Sequence, residues 1–504
     1  MPAPDLQSFV RELEQRGWLK RITVPVDPIL EISEITDRVT KAAGPALLFE
    51  RVKGHDWPVL INTYGTKERM CLALGAESFE QVAERVKALI KPEIPTTLMD
   101  KLRRLPELAQ LGSLPPRIVR RGICQEVVHT DDADLSKLPA IQCWPGDGDV
   151  TRNLYPHVRD WLAQNQERGT GRYLTLTNVF TKNPETGERN VGTYRVQLFA
   201  PRLAAMHWHM HHDGARHFRM YQRLGKRMPI AVSFGGPAVM PYAGTCPLPP
   251  EMDECLFAGF LQGSALELVR CVTQPELEVP ATAEVVVEGY IDPAEQPILE
   301  GPFGDHTGFY SLADLYPRLH VTAITHRRNP IYPTTIVGKP PQEDFWLGKA
   351  TERLFLPLVQ MLIPDILDYN LPMFGCFHNC AFVKIRKEYP YQARRVMSAI
   401  WGAGQMAFTK IIVVVDHDVD VQDEQAVLFH LCANTDPKRD ILFVDGPLDI
   451  LDHAAPFCGA GSKMGIDATR KIAGEGAVRQ WPEEIEMSRE IKELVTRRWP
   501  EYGL

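Results

Sequence analysis

No apolar run in this 504-residue chain approaches the length of a membrane span. The longest aliphatic stretch, Ile411 to Val415, falls far short of the roughly 20 residues needed to cross a bilayer. The N-terminus, MPAPDLQSFVRELEQRGWLKRI, has no signal-type apolar core and reads as an amphipathic helix. Excess positive charge is missing too: 56 Lys and Arg face 64 Asp and Glu, a net charge of −8, which argues against a protein that tracks nucleic-acid phosphates. The ten cysteines show no repeating framework. Cys376 and Cys380 in CFHNC have no second pair at a matching spacing, so free buried thiols in a reducing compartment are expected rather than disulfides or a zinc site. GFLQGSALELVR lacks the GxGxxG spacing of a dinucleotide-binding turn, and DHDVD (416–420) lacks the glycine and distal Glu of an EF-hand. There is no internal repeat and no low-complexity tract. What remains is a soluble, cytoplasmic, globular protein of two or three domains.

The pattern along the chain divides it. Residues 7–17 set Phe9, Val10, Leu13 and Trp18 on one helical face. ALLFERV and WPVLINTYG read as strands, with helices over 78–91 and 98–110; the arginine-rich stretch 101–122 reads as a solvated face or a boundary. From about 123 the signals turn to short β-branched strands: RYLTLTNVFTK, GTYRVQLFA, PIAVSFGG, EVVVEGYI and RLHVTAITHR, as in a barrel or sandwich. After about 330, AFVKIRK, a helix 391–403, KIIVVVD, a helix 423–434 and DILFVDG predict a β-α-β-α-β unit with a parallel sheet. The stretch beyond 459, with a charged helix near 482–497, reads as an extension that packs on a neighbour. The expected division is 1–115 (N-terminal α/β), 116–325 (β-rich) and 326–504 (C-terminal α/β).

Three stretches in the β-rich middle could carry chemistry. In GERNVGTYRVQ, Gly187 and Asn190 mark a turn and Arg195 starts the following strand; a plain hairpin with a surface arginine is the bland alternative. MHWHMHHDGARHF concentrates five of the 15 histidines, and on a strand His207, His209 and His211 would share one face as a metal or phosphate site, or would merely hydrogen-bond. In EGPFGDHTG, a Gly-Pro-Phe-Gly turn can fold Glu300 and Asp305 toward one point, where mutual repulsion would keep one of them protonated as a general acid; an ordinary turn with acidic caps is the alternative.

Taken in order, NVGTYR, HWHMHHDGA, DECLFAGFLQGSALELVRC, VPATAEVVVEGYI and EGPFGDHTGFY resemble consecutive blocks of the UbiD family of prenylated-flavin-dependent decarboxylases. VDPILEISEITDRV and GPALLFERV resemble its N-terminal part, FTKIIVVVDHDVDV and GSKMGIDAT its C-terminal part. The resemblance implies an α/β (α+β) fold: a flavin-reductase-like split β-barrel flanked by an N-terminal α/β part and a C-terminal α/β oligomerisation domain. It implies prenylated FMN as cofactor, lined by Thr193, Tyr194, Arg195, His207, Trp208, His209, His212 and Asp213. Asn190, His211 and Glu254 match ligands for a divalent metal, usually manganese, and potassium would sit on carbonyls of about Ala243 to Cys246, sharing Glu254. Arg195, Glu300 and Asp305 match the catalytic network, with Glu300 holding Arg195, Arg195 engaging the substrate carboxylate through two parallel hydrogen bonds, and Asp305 as proton donor. Reversible, non-oxidative decarboxylation of a small aromatic or α,β-unsaturated carboxylic acid, a flavin prenyltransferase as cofactor supplier and assembly into a dimer or trimer of dimers are implied as well. Length and outer blocks resemble the bacterial 3-polyprenyl-4-hydroxybenzoate branch. That branch, however, has arginines where this chain has His207 and His212, and Gly where it has Asp213, so positive charge near the flavin phosphate is reduced. A non-catalytic flavin- or metal-binding subunit and a metal-dependent hydrolase are the competing readings.

Overall fold

The computed structural model describes residues 2–90, 114–151, 154–210, 212–248, 252–477 and 479–503. The helix expected over 98–110, and with it Arg103 and Arg104, lies outside the described residues.

Among the described residues, the short middle strands pair into a nine-stranded sheet. Its order is Tyr173–Leu174, Val196–Ala200, Leu203–Met206, Arg318–His326, Ala283–Ile291, Met228–Gly235, Asn178–Lys182 and Arg189–Gly192, with Val127–His129 added beside Arg318–His326. Each of these pairings is antiparallel. The two edges of that path are close in sequence: residues 175–177 join Leu174 to Asn178, and residues 193–195 join Gly192 to Val196. Laid flat, eight strands would hold their edges ~34 Å apart, whereas four Cα steps reach at most ~14 Å. The sheet must therefore curl until its edges meet, and the two links cross the seam together. Thr177 ties them: its hydroxyl donates to the Tyr194 carbonyl and accepts the Tyr194 N–H at 3.2 Å.

Met228–Gly235 is buried along its whole length because both faces are covered. Ile230, Val232 and Phe234 pack with Val285, Val287 and Val321 in one core, while Ala231 and Val286 join Phe180, Tyr242 and Cys255 in another. This is the period-two alternation of a strand, with each large side chain contributing about 1.5–3 kcal/mol on burial. The helix Leu6–Gln15 starts at Asp5, whose carboxylate accepts the Ser8 N–H at 2.7 Å, and buries Leu6, Phe9, Val10 and Leu13. It lies by a four-stranded sheet of Leu19–Ile22, Ala46–Phe49, Val59–Ile61 and Tyr332–Pro333, so the first sheet is completed by a strand from beyond the barrel.

The 20-residue helix Glu343–Leu362 leads into a five-stranded sheet ordered Ile366–Asn370, Cys380–Ile385, Ile411–Asp416, Ala460–Asp467 and Ile441–Pro447. Here the expected β-α-β-α-β arrangement is corrected. Ile441–Pro447 does not pair with Ile411–Asp416; Ala460–Asp467 inserts between them, parallel to Ile411–Asp416 and antiparallel to Ile441–Pro447. The segment expected to be an extension from 459 is therefore partly core, and Ile466 and Ala468 are buried. Only the stretch from about 482 stands clear, with Ile485, Met487, Leu494 and Trp499 exposed. All ten cysteines are free.

Ending the chain after Pro482 is expected to leave this sheet intact, because the helix Arg489–Arg498 buries none of its residues. Ending it after Gly459 removes an interior strand, and hydrogen-exchange protection of Ile411–Asp416 should collapse. Protection retained in that shorter chain would contradict the register described here.

Candidate active site

Arg195 ends the second seam link, and its side chain turns into the protein with 9% of its surface exposed. Its Nε donates to Glu300 Oε1 at 2.7 Å and its Nη2 to Glu300 Oε2 at 3.3 Å, a forked pair that presents the guanidinium edge to one carboxylate. Nη1 donates to Asp305 Oδ2 at 2.5 Å, and Nη2 also reaches Ser311 Oγ at 3.1 Å. The guanidinium carbon lies 4.8 Å from the Phe303 ring centroid. The expectation from spacing, that one of Glu300 and Asp305 stays protonated, is thus replaced by a cation between two anions; the Glu300–Arg195 pair that the resemblance implied is there. Burial by itself would raise Glu300, but the Arg195 charge, with His207, outweighs it and brings the carboxyl down to about 2. Asp305 is likewise held well below the usual carboxylate range: burial opposes this, and the His306 hydrogen bond and the Arg195 charge override it.

The EGPFGD turn is shaped from outside itself. Gly301 N–H donates to Gln197 Oε1 at 2.9 Å, and Gly304 N–H to Asp147 Oδ1 at 2.8 Å. The other oxygen of Asp147 accepts the N–H groups of Cys143 and Trp144 at 3.1 and 2.8 Å. A Cβ on Gly304 would lie 2.1 Å from Cδ1 of Trp144, whose indole donates to the Val337 carbonyl at 2.8 Å. Asp147, Phe303, His306 and Ser311 were not singled out from sequence. Three of them stand beside the acidic pair in GPFGDHTGFYS, the one signal available; Asp147 reaches the turn only through the fold.

The histidine stretch is not a strand. Leu203–Met206 ends just before it, and the helix Asp213–Leu224 begins just after. His207 Nδ1 meets Glu300 Oε2 at 2.8 Å, and its Nε2 meets His209 Nε2 at 2.7 Å. Burial and the Arg195 charge lower His207, and burial with His207 and His212 lowers His209, so both rings are neutral. A carboxylate can only accept, so His207 carries its proton on Nδ1 and accepts from the Nε2–H of His209. The His212 and Tyr194 rings lie 5.0 Å apart and those of His209 and His212 5.1 Å, with Trp208 edge-on to Tyr194 at 6.2 Å. Asp213 points elsewhere, toward Arg216 at 3.0 Å. His211 lies outside the described residues.

Glu254, the first residue of the helix Glu254–Gln262, reaches the strand Arg189–Gly192, where its Oε2 accepts the Val191 N–H at 2.9 Å, while the neighbouring Asn190 donates to Thr181 Oγ1 at 3.4 Å. Burial pushes the Glu254 carboxyl up to about 8, and the charges acting on it, from Asp253 and Asp213, are also acidic. Next to it, Thr193 N–H donates to the Gly244 carbonyl at 3.0 Å, inside the stretch expected to bind potassium. Both side-chain polar atoms of Asn178, the Thr193 hydroxyl and the Trp208 indole N–H are buried without a protein partner among the described residues. A buried acid facing only acids fits a cation, and its oxygen-rich company suits a hard or borderline one. Unpartnered buried donors and acceptors, at about 1–3 kcal/mol each, fit a polar cofactor along the seam. Among the described residues no three His, Cys, Asp or Glu side chains converge as a metal site.

Replacing Gly304 with Ala should push Trp144 and the turn apart and cost about 1–3 kcal/mol of stability, as overpacking does. Asp305 should lose its place beside Arg195 while the barrel stays folded. A variant with wild-type thermal stability and unchanged Trp fluorescence would contradict this packing.

Three family models match consecutive parts of the chain. They are the N-terminal, Rift-related and C-terminal domains of 3-octaprenyl-4-hydroxybenzoate carboxy-lyase, at residues 10–89, 117–340 and 345–468. A protein of Aquifex aeolicus is 48% identical over 502 residues, 99% of each chain. The vanillic acid decarboxylase of Sedimentibacter hydroxybenzoicus, in its closed form, superposes with a TM-score of 0.82 at 25% identity, covering 100% of both chains. An evolved dimeric form of the UbiD-class enzyme HmfF from Pelotomaculum thermopropionicum, in complex with prFMN, gives 0.76 at 27% identity and covers 97% of this chain and 98% of its own. With the three domain models in chain order, and a curled barrel whose seam gathers Arg195, Glu300 and Asp305, this chain belongs to the UbiD family of carboxy-lyases.

Proposed function

We propose that the chain catalyses reversible, non-oxidative decarboxylation of an aromatic carboxylic acid with prFMN, and that the Arg195–Glu300–Asp305 clamp carries it out. The single observation behind this reading is that one buried guanidinium holds two ionised carboxylates at once. When bound, prFMN supplies the electron sink that amino-acid side chains lack for a carbon losing CO2. Everything else falls to the protein. The Nε/Nη2 edge of Arg195 is taken by Glu300, so the expected two-bond grip on the substrate is replaced by a contest for Nη1, which Asp305 occupies. A substrate carboxylate that takes Nη1 displaces Asp305 Oδ2 and removes the charge that keeps Asp305 ionised. Asp305 then gains a proton and passes it to the carbon vacated by CO2. In reverse, Asp305 takes that proton away before CO2 adds.

Asn190, His211 and Glu254 are assigned to a divalent cation, Mn2+ by preference, that also grips the flavin phosphate, with K+ beside Ala243 to Cys246. Where the related branch has arginines, His207 is spent on Glu300 and His209, so the metal carries more of the phosphate charge here. Trp208, Tyr194, Thr193, His209 and His212 line the cofactor, supported by the unpartnered Trp208 and Thr193 atoms. A flavin prenyltransferase supplies the cofactor. No described helix is long and apolar enough to cross a membrane, and the exposed apolar residues beyond 482 support assembly with copies of the same chain. The complete clamp weighs against an inactive subunit.

Glu254→Gln should lower metal and prFMN content together, measured by elemental analysis and flavin absorbance, while the thermal transition persists. Full occupancy at normal activity would remove Glu254 from the metal site. Asp305→Asn preserves shape but carries no proton, so turnover should drop by about 10²–10⁴-fold with metal and cofactor content unchanged. An Asn variant with wild-type turnover would take Asp305 out of the chemistry.

A further inference from the structure

Asp305 has a second charged neighbour that the clamp does not use. Its Oδ1 accepts both the backbone N–H of His306 at 2.9 Å and, at 3.2 Å, the ring Nδ1 of the same residue. The two oxygens of Asp305 are thereby divided: Oδ2 faces Arg195 and Oδ1 faces an imidazole. Held between two cations, the carboxylate is a poor proton carrier until one of them leaves. His306 itself is placed at the junction of the barrel turn and the C-terminal half. Its ring lies 5.4 Å from that of Phe377, and it lines a small cavity with Asp344, Lys349, Cys376 and Phe377. The space open to the centre of a water molecule there is about 10 Å³, room for about one water.

The charges around this ring come from four sides. Asp305 belongs to its own turn, with Arg195 behind it. Asp344 and Lys349 come from the helix Glu343–Leu362; the Lys349 ammonium is engaged by Glu352 at 2.7 Å and Asn370 at 2.6 Å. Asp449 and His378 approach from the C-terminal half and lie 3.7 Å from each other. Burial lowers His306, but Asp305, Asp344 and Asp449 together raise it to about 9, so the ring is an imidazolium at neutral pH. Asp344 is pushed by burial up to about 7.

We propose that His306 is a relay residue acting through Asp305: its Nδ1–H is handed to Asp305 Oδ1 when the substrate carboxylate takes Arg195, and the ring is recharged by water from the Asp344 cavity. This rests on the decarboxylase reading above. The transfer breaks one N–H bond and forms one O–H bond, turning an ion pair into a neutral pair with no further reagent. Asp305 then gives the same proton to carbon and returns to a carboxylate, and neutral His306 takes up a proton from water. In the carboxylating direction the proton leaves by the same path.

The test has a part that needs neither cofactor nor substrate. In flavin-free protein labelled at histidine Cε1, the NMR resonance lost in His306→Gln should titrate near pH 9, and in Asp305→Asn its midpoint should fall toward that of an ordinary histidine. A wild-type midpoint at the ordinary value, or one unmoved by Asp305→Asn, would overturn the pairing. In prFMN-loaded enzyme, kcat should fall as pH rises through about 9, because the imidazolium is lost there. His306→Gln should lower kcat by at least about tenfold with KM little changed, and should abolish that alkaline limb. A variant that keeps wild-type kcat and the same limb would show that His306 only shapes the turn. If loaded wild-type enzyme releases no CO2 from any aromatic acid while the NMR midpoint stands near 9, it is the decarboxylase reading that fails.

Discussion

Much of this structure is arranged around keeping one arginine buried and charged. Desolvating a guanidinium costs several kcal/mol, and the cost is offset only if every side of the group is met. Glu300 meets the forked edge, Asp305 meets Nη1, Ser311 meets Nη2, and the Phe303 ring lies against the planar face. Glu300 is in turn fully buried and accepts from His207, whose far nitrogen is met by His209. Each partner is there because another would otherwise be an uncompensated charge. Of the guanidinium nitrogens, Nη1 alone is not engaged by Glu300, and there Asp305 is the carboxylate partner.

The seam explains why these groups meet. Residues 193–195 join opposite edges of a curled sheet, so Arg195 is carried across the barrel by covalent connection rather than by side-chain reach. The partner link, 175–177, is tied to it through Thr177. On one side of the seam lie the anions of the EGPFGD turn; on the other lies Glu254, whose carboxyl is raised by burial and by its acidic neighbours. A polar cofactor along the seam would be held by the unpartnered Thr193 hydroxyl and Trp208 indole N–H. Strands buried on both faces, such as Met228–Gly235, supply the rigid wall against which such placement is held.

Much of this could be seen in the sequence, and the failures have identifiable causes. The barrel strands were legible because alternation and β-branching are local. The cluster of Arg195, Glu300 and Asp305 was legible through the resemblance of its motifs, since Arg195 and Glu300 are 105 positions apart and no spacing rule joins them. Spacing alone set the two carboxylates side by side with one kept protonated; it was the resemblance that paired Glu300 with Arg195. The histidines looked like a strand because alternation was counted beyond Met206, where the ladder stops. Ala460–Asp467 went unseen because AGSKMGID is rich in Gly and carries a Lys; that strand is defined by the neighbours it inserts between rather than by its own pattern. Asp147 gives no signal of its own; only the fold brings it to Gly304.

The most direct test of the central claim compares the same chain carrying two flavins. Protein produced anaerobically with a flavin prenyltransferase, and protein reconstituted with FMN alone, would be given a panel of aromatic acids while released CO2 is measured. The prenylated form should decarboxylate at least one of them, and the FMN form should release none above the uncatalysed rate. Equal CO2 release from both forms, or release by flavin-free protein, would contradict a clamp that works only in concert with prFMN.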